Sequence, residues 1–255
     1  MKIIRIAAFL GCCFFTLVAC QTENKEVVKE ATPPAVTSPS PAQTTLEEAE
    51  WTVLFDGISG ANWRSYEEDK FPNKGWTVKN GALSLLAKSG GGDIMTKEEY
   101  ENFDFRFEFN LEKGANSGIL YLVQKIKDKP IYYGAPEYQL IDDEYIIKES
   151  KGDESVIKHH LTADNYDLQT ATNKKLNPAG QWNAARIVIN NGHVEHYLNG
   201  DKVVEYDLGS PKWKAMVAGS KFADWEPYGK ARKGHIGLQD HGDGVSFRNI
   251  KIRKL

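Results

Sequence analysis

The chain is poor in cysteine and lacks long helical patterns. Its three cysteines, Cys12, Cys13 and Cys20, all lie within the first 20 of 255 residues. The rest of the chain therefore has no thiol for a disulfide or for a cysteine metal site. The formal net charge is only −3 and the basic residues are scattered, so the basic stripe expected of a nucleic-acid-binding protein is missing. Long amphipathic helical periodicity is also absent, which argues against a helical fold.

The first 20 residues have the pattern of an exported lipoprotein. A basic start precedes an apolar run over residues 6–19, which is shorter than the ~20 residues of a membrane span and is flanked like a secretory signal. The run ends in Leu17-Val18-Ala19-Cys20, which resembles a bacterial lipobox; the alternative is an ordinary signal peptide with a chance cysteine. We expect a signal peptide over residues 1–19 and lipidation of Cys20. Gln21 stands where an inner-membrane retention signal would place Asp, which favours an outer-membrane anchor in the cell envelope.

The composition changes after the signal. Residues 20–49 combine the lipidated Cys20 with several prolines among Thr, Ser, Ala, Glu and Lys, and they show no apolar period. This composition is typical of a disordered tether. Residues 50–255 then form the predicted domain, which is long enough to bury a core without disulfides. The membrane is expected to be a partner only through the lipid.

The domain has the period-two alternation of β-strands. The segment Phe103–Phe109 places four phenylalanines on one face. Asn80-Gly81 and Asn199-Gly200 each separate two alternating segments, which is a strong hairpin signal. Many short strands delimited by turns predict an all-β fold, a two-sheet antiparallel sandwich. A turn of helix is expected near 97–102 and within 211–222.

Two segments combine strand alternation with unusual polar groups. In Glu137-Tyr138-Gln139-Leu140, alternation places Tyr138 and Leu140 on a core face and Glu137 and Gln139 on the opposite face. A carboxylate and an amide at such positions suit sugar hydroxyls, and the carboxylate could act as a base. The alternative is an ordinary polar outer face.

The second segment is the polar cluster Gln239-Asp240-His241 before a glycine turn. Gln239 and His241 share a face, so we expect them to line a groove with Glu137 and Gln139. His241 could serve as a base, a metal ligand or a hydrogen-bond donor, although a lone histidine is more often structural. Asp240 is expected to have a structural role.

Three weaker features complete the survey. Asn116-Ser117-Gly118 is expected to form a turn that enters an apolar strand. The sequence His159-His160 with Asp164 could hold a divalent ion, but its spacing matches no standard motif. Most tryptophans are expected in the core, whereas Trp213 and Trp225 lie in an irregular segment and are candidate platforms for stacking on sugar.

Several motifs, taken in order, resemble the 3-keto-disaccharide hydrolase domain family over the whole of Trp51–Leu255. They are Trp51-Thr-Val-Leu-Phe-Asp-Gly, Trp76-Thr-Val-Lys-Asn-Gly-Ala-Leu, Asn116-Ser-Gly-Ile, Glu137-Tyr-Gln-Leu-Ile-Asp142, Gln181-Trp-Asn183, Leu198-Asn-Gly200, Gly237-Leu-Gln-Asp-His-Gly242 and Phe247-Arg-Asn-Ile250. The resemblance implies a concanavalin A-like jelly-roll sandwich that handles sugar on its concave face. It also implies a hydrolase or lyase whose substrate is a glycoside already oxidised to a ketone at C3.

Such a substrate requires a base near C2, a group that stabilises charge on the C3 oxygen, and a proton source for the leaving group. We assign Glu137 and His241 as the catalytic residues, and both are also candidate ligands for one divalent metal ion. The expected substrate-binding residues are Asn116, Gln139, Asp142, Tyr166 and Gln239. Two other hypotheses stay open: a carbohydrate-binding lipoprotein without catalysis, and a structural domain of the cell envelope.

Overall fold

Thirteen β-strands account for most of the regular structure in the computed structural model, which describes residues 51–255. The predicted signal peptide, Cys20 and the tether lie outside these described residues. The strands are β1 (Thr52–Phe55), β2 (Trp63–Ser65), β3 (Trp76–Lys79), β4 (Ala82–Leu85), β5 (Ile94–Thr96), β6 (Phe103–Leu111), β7 (Asn116–Val123), β8 (Glu137–Ile141), β9 (Asn183–Asn190), β10 (His193–Leu198), β11 (Asp201–Asp207), β12 (His235–Leu238) and β13 (Val245–Lys254). Three α-helices join them: α1 (Asp143–Ser150), α2 (Glu154–Ile157) and α3 (Pro211–Ala218), with a 3-10 turn at Ile131–Tyr133.

The strands form two antiparallel sheets. The larger sheet has eight strands in the order β11-β10-β9-β6-β13-β4-β3, with β1 paired to β13 as its eighth member. The smaller sheet has five strands in the order β2-β5-β12-β7-β8. The prediction of an all-β, two-sheet jelly-roll sandwich is confirmed.

The core lies between the inner faces of the two sheets. All four phenylalanines of Phe103–Phe109 are buried there, at the centre of the larger sheet. Ile119 and Tyr138 face them from the smaller sheet, and Tyr138 packs edge-on against Phe107 with ring centroids 6.1 Å apart. The apolar alternation of the sequence thus marks the buried face of each strand.

Both predicted hairpins are present. Asn80-Gly81 joins β3 to β4 and Asn199-Gly200 joins β10 to β11. All four residues have positive φ, between 48° and 93°, as the two-residue turns that match the twist of the strands require.

The helical expectations are met in part. Helix α3 lies within the expected segment, and Ser210 caps it by accepting a hydrogen bond from the Trp213 amide. The turn of helix expected over 97–102 was wrong, because the segment consists of bends around a β-bridge in which Tyr100 exchanges backbone hydrogen bonds with Gly234. Helices α1 and α2 were not predicted from the sequence. Within residues 51–255, no helix is long and apolar enough to cross a membrane.

A small second apolar cluster covers part of the outer face of the five-stranded sheet. Leu120 and Met95 of this face pack against Ile131 and Ala135, which belong to the connection between β7 and β8. Gly237 makes this packing feasible, because a Cβ there would lie 2.7 Å from Ile131 Cδ1. The connection therefore forms a wall on the outer face, beside strand β8, which carries Glu137 and Gln139.

Candidate active site

A cavity of about 290 Å³ opens beside this wall, on the outer face of the five-stranded sheet. It collects seven of the residues that were singled out from the sequence: Asn116, Glu137, Gln139, Tyr166, Trp225, Gln239 and His241. Four further residues complete its lining: Tyr132, Ala135, Lys221 and Phe222. Residues that are more than 100 positions apart in the sequence thus share one small space.

Strand β8 supplies the two most buried polar groups of the cavity. Tyr138 and Leu140 are fully buried in the core, whereas Glu137 and Gln139 point to the other face and are only 6% and 2% exposed. This arrangement follows the alternation predicted from the sequence. Glu137 and Gln139 are buried because other segments cover the outer face, and not because they face the core.

The segment that contains His159 and His160 runs along the free edge of β8. The Ala163 amide donates to the Gln139 carbonyl at 2.8 Å, and the Tyr166 amide donates to the Glu137 carbonyl at 3.0 Å. These backbone bonds behave like an added strand and fix the position of Tyr166 at the cavity. The segment thus protects a sheet edge.

Glu137 is a carboxyl group that is almost completely shielded from solvent. Burial raises its pKa to about 8; the nearby Lys221 ammonium acts in the opposite direction, and Asp93 adds to the rise. Among the described residues, none donates a hydrogen bond to its carboxylate oxygens. A carboxyl group with a pKa near neutrality is suited to accept and return a proton during catalysis.

Lys221 is the functional group that the sequence analysis missed. Its Nζ donates to the Tyr166 hydroxyl at 2.9 Å and lies 4.0 Å from the centre of the Tyr166 ring. This contact holds a positive charge at the cavity wall. The available signal was a lysine next to the aromatic residues Phe222 and Trp225, in a segment that we considered only for stacking.

The amides of the cavity are held by backbone and local bonds. Gln139 Oε1 accepts from the Leu140 amide at 3.0 Å, which leaves its NH2 group for a ligand. The Gln239 backbone is fixed from both sides, because its carbonyl accepts from Ser117 Oγ and its amide donates to the Gly118 carbonyl. Asn116 Oδ1 is buried without a hydrogen-bond partner. An orphaned acceptor in a polar cavity is a natural partner for a substrate hydroxyl.

His241 lies at the rim of the same cavity. Strand β12 ends at Leu238, so Gln239 and His241 belong to the connection that leads to β13. The imidazole is exposed, in contrast to the buried Glu137. An acid or base in this position would act at the open side of a bound substrate.

Three expectations about individual residues are corrected. Asp142 does not line the cavity, because its carboxylate caps α1 at the Tyr145 amide and also accepts from the Gly114 amide. Asn116-Ser117-Gly118 is not a turn but the first part of β7. Trp213 is not a platform for sugar, since it is 3% exposed and stacks between Tyr206 and Tyr228.

The histidine pair does not form a metal site. His160 Nε2 is paired with Asp167 at 3.0 Å, and His159 Nδ1 is paired with Thr170. Asp164 is buried and accepts from the Leu161 and Ala171 amides. Asp240 has the expected structural role, since its two oxygens accept from the Gly92 and Gly242 amides.

The cavity offers few ligands for a divalent cation. Glu137 and His241 are its only acidic and imidazole groups among the described lining residues, and Lys221 adds positive charge. One trio of His, Asp or Glu side chains in residues 51–255 is close enough to share an ion, namely His193, Glu195 and Glu205. That trio lies on the β10–β11 hairpin, where Lys202 Nζ already bonds both glutamates. Each chemical step at this cavity is therefore assigned to a protein group.

The fold and this cavity define a β-sandwich with a buried carboxyl group in a polar pocket. The profile of the 3-keto-alpha-glucoside-1,2-lyase-like domain family matches residues 50–253, and the chain belongs to that family. A curated relative from Bacteroides thetaiotaomicron, named 3-keto-disaccharide hydrolase, is 35% identical over 231 residues, which cover 80% of this chain and 78% of the relative. The predicted family and the prediction of an enzyme of the hydrolase type are confirmed.

Solved structures agree with this assignment. A protein from Parabacteroides distasonis ATCC 8503, named as a glycosyl hydrolase, superposes with a TM-score of 0.73 at 33% identity and covers 82% of this chain and 96% of its own. A second structure with the same description and source has a TM-score of 0.62 at 29% identity, with coverage of 80% and 99%. The whole sandwich, and not a fragment of it, is therefore shared.

Proposed function

We propose that the protein cleaves glycosides that carry a ketone at C3 of the sugar, by elimination followed by addition of water. The observation that carries this proposal is the single buried carboxyl group of Glu137, set among amides and one ammonium in a cavity on the outer face of the small sheet. The names of the family and of the curated relative support the substrate class.

The proposed first step is removal of the C2 proton. A ketone at C3 makes this proton acidic, and ionised Glu137 accepts it, which leaves an enolate whose charge resides largely on the C3 oxygen. Positive charge near that oxygen lowers the barrier. The ammonium of Lys221 and the hydroxyl of Tyr166, which are already hydrogen-bonded to each other, are the groups we assign to this role.

The second step breaks the bond between C1 and the glycosidic oxygen. The enolate electrons form the C1–C2 double bond, and the leaving oxygen takes up a proton, for which we assign His241 at the rim. Water then adds across the double bond: its oxygen bonds to C1 and its released proton restores His241, while Glu137 returns its proton to C2. The sum of these steps is hydrolysis, which reconciles a lyase-like family name with a relative named as a hydrolase.

The usual glycosidase mechanism fits the cavity less well. That mechanism needs two carboxyl groups on either side of the scissile bond, roughly 5–10 Å apart. Glu137 is the only acidic residue among the described residues that line this cavity. Asn116, Gln139 and Gln239 are amides, which we assign to the substrate hydroxyls and to orientation of the ketone.

The test compares a 3-keto-glucoside with its unoxidised parent as substrates for the purified protein. We expect release of the aglycone from the keto sugar only, and loss of at least about a hundredfold in kcat for Glu137→Gln, the size typical of a lost general base. Glu149→Gln, an exposed residue of α1, is the matched control. Parallel assays with a chelator decide whether an ion takes part.

Two outcomes would overturn this assignment. Full activity of both Glu137→Gln and His241→Ala would remove the mechanism. Saturable binding of sugar without turnover of any 3-keto-glycoside would favour the non-catalytic carbohydrate-binding lipoprotein.

We further propose that Cys20 carries a lipid anchor that holds the protein in the cell envelope, as the lipobox-like sequence suggests. The test is metabolic labelling with a fatty acid in cells that express the protein or its Cys20→Ser variant. Label and membrane association should be lost in the variant, and an unlabelled parent protein would refute the anchor.

A further inference from the structure

A second and larger cavity lies on the opposite side of the sandwich, on the outer face of the eight-stranded sheet. This groove has a volume of about 890 Å³ and is bordered by β1, β6, β9, β10 and β13. It contains none of the residues assigned above. Its size is in the range of pockets that hold small ligands, so the groove is a second candidate binding site.

An arginine cluster around one carboxylate forms the floor of this groove. Asp104 is fully buried and accepts two hydrogen bonds from Arg106, at 3.2 and 2.9 Å, and two from Arg186, at 2.7 and 3.0 Å. Arg253 reaches the same carboxylate at 3.4 Å. One negative charge thus fixes the guanidinium groups, and Arg106 and Arg186 together carry one positive charge more than Asp104 balances.

The excess charge is presented to the groove. The side chains of Arg106 and Arg186 are 43% and 33% exposed, although their Asp104 partner is not exposed at all. Lys251 adds a further cation to the lining. Of the two acidic lining residues, Glu108 is paired with Arg248 at 2.7 Å, and Asp56 accepts from the Ile58 and Ser59 amides. Guanidinium groups held rigidly by a buried partner present their outer N–H groups in a fixed geometry, which suits recognition of a carboxylate or sulfate.

Two aromatic residues extend this cationic surface. Arg106 and Lys251 lie 4.6 and 4.8 Å from the centre of the Trp51 ring, and Arg186 lies 4.7 Å from that of Tyr197. These contacts hold the long cationic side chains flat against the sheet. The cations of this surface are therefore held against aromatic rings as well as by Asp104.

We propose that this groove binds an acidic oligosaccharide, with a carboxylate or sulfate group of the sugar placed on the guanidinium groups of Arg106 and Arg186. The surface combines the planar donors that recognise an oxyanion with the ring of Tyr197, an aromatic lining residue that a sugar ring can contact. A nucleic acid fits less well, since the chain as a whole is acidic with a net charge of −3. The proposal is independent of the function assigned to the cavity that contains Glu137.

The test is calorimetric titration of the purified protein with three probes: a hexuronic acid trisaccharide, a sulfated disaccharide and a neutral trisaccharide of the same backbone. The two acidic probes distinguish a carboxylate from a sulfate as the recognised group. We expect at least one to bind, with an affinity that falls as salt rises, and the neutral probe to show no binding. Lys251→Glu should weaken binding by about tenfold or more through charge reversal.

Two control variants sharpen the result. Lys148→Glu reverses one charge on the exposed surface of α1 and should leave the affinity unchanged. Glu137→Gln should also bind the acidic probe as the parent does, which separates this groove from the other cavity. The proposal is overturned if neither acidic probe binds, if the neutral probe binds equally well, or if Lys251→Glu binds as tightly as the parent.

Discussion

Gly118 leaves the space that the Glu137 side chain occupies. A Cβ built on Gly118 would lie 2.0 Å from Glu137 Oε1 and 2.7 Å from its Cδ, far inside any real contact distance. The two residues are on the paired strands β7 and β8, where Gly118 is opposite Gln139 and Leu120 is opposite Glu137. The carboxyl group therefore lies flat across β7, and this placement depends on the missing side chain.

Gly118→Ala should displace the carboxyl group of Glu137 without unfolding the sandwich. Overpacking at such a site typically costs about 1–3 kcal/mol, and a displaced base loses its alignment with the substrate. We expect kcat to fall by at least about tenfold for an error in placement of this kind, with little change in KM. Gly219→Ala is the control, because its new Cβ would meet only ordinary contacts beyond 3.4 Å. Equal kcat for Gly118→Ala and the parent would contradict this account of the site.

The buried Glu137 should also make the stability of the protein depend on pH. Burial raises its pKa in the folded state to about 8 from an ordinary value of 4.5, so the folded state binds more protons than the unfolded state between these values. Stability therefore falls as pH rises through this window. Glu137→Gln removes the penalty and should be more stable than the parent at pH 9, by up to about 5 kcal/mol.

Urea unfolding of both proteins at pH 5 and pH 9 measures this difference. The gap in the free energy of unfolding should be small at pH 5 and large at pH 9. Glu149→Gln, on the exposed surface of α1, should follow the parent at both values. A Glu137→Gln variant that gains nothing at pH 9 would show that the carboxyl group is well solvated in the folded protein.

The rate should depend on the same titration. A base must be ionised to accept the C2 proton. With this proton transfer as the rate-limiting step, kcat/KM for a 3-keto-glycoside should rise with pH and level off above about 8. Lys221 opposes the rise in the pKa of Glu137, and Lys221→Met should therefore move the midpoint of the profile to higher pH as well as lower the plateau. Lys212→Met, on the exposed side of α3, should move neither. A Lys221→Met profile with an unchanged midpoint would argue against an electrostatic link between the two groups.

Strand periodicity explains why much of this site could be predicted from the sequence. Alternation in β8 placed Glu137 and Gln139 on one face, and the motif before β13 supplied Gln239 and His241. Alternation cannot show which segments cover that face, so Lys221, which reaches Tyr166 from a segment more than 50 residues away, was missed. Asp142 was misassigned for the converse reason, because a carboxylate next to a strand can equally well cap the following helix.

Gly118 shows the same limit at a single position. In the sequence, Asn-Ser-Gly is typical of a turn, and the expectation of a turn was wrong. The glycine is required by the close approach of a side chain from the neighbouring strand and not by its own backbone conformation. Contacts of this kind depend on the register between strands, which no local pattern specifies.

The stability of the arginine cluster on the larger sheet should depend on Asp104 far more than on any one of the arginines. Burial disfavours ionisation of this carboxyl group, yet hydrogen bonds from Arg106 and Arg186 hold its pKa below the usual value. In Asp104→Asn the guanidinium groups of Arg106 and Arg186 would remain close together without the charge of Asp104 between them, and we expect a loss of about 3–5 kcal/mol in the free energy of unfolding. Asp207→Asn, which removes an exposed partner of His193, should cost less than about 1 kcal/mol.

Because the pKa of Asp104 is lowered, its contribution is present above the unfolded pKa of about 3.8 and is lost as pH falls through the lower folded value. Urea unfolding at pH 7 and pH 3 should therefore show the parent and Asp104→Asn converging in acid, and a constant difference would mean that Asp104 acts by packing alone.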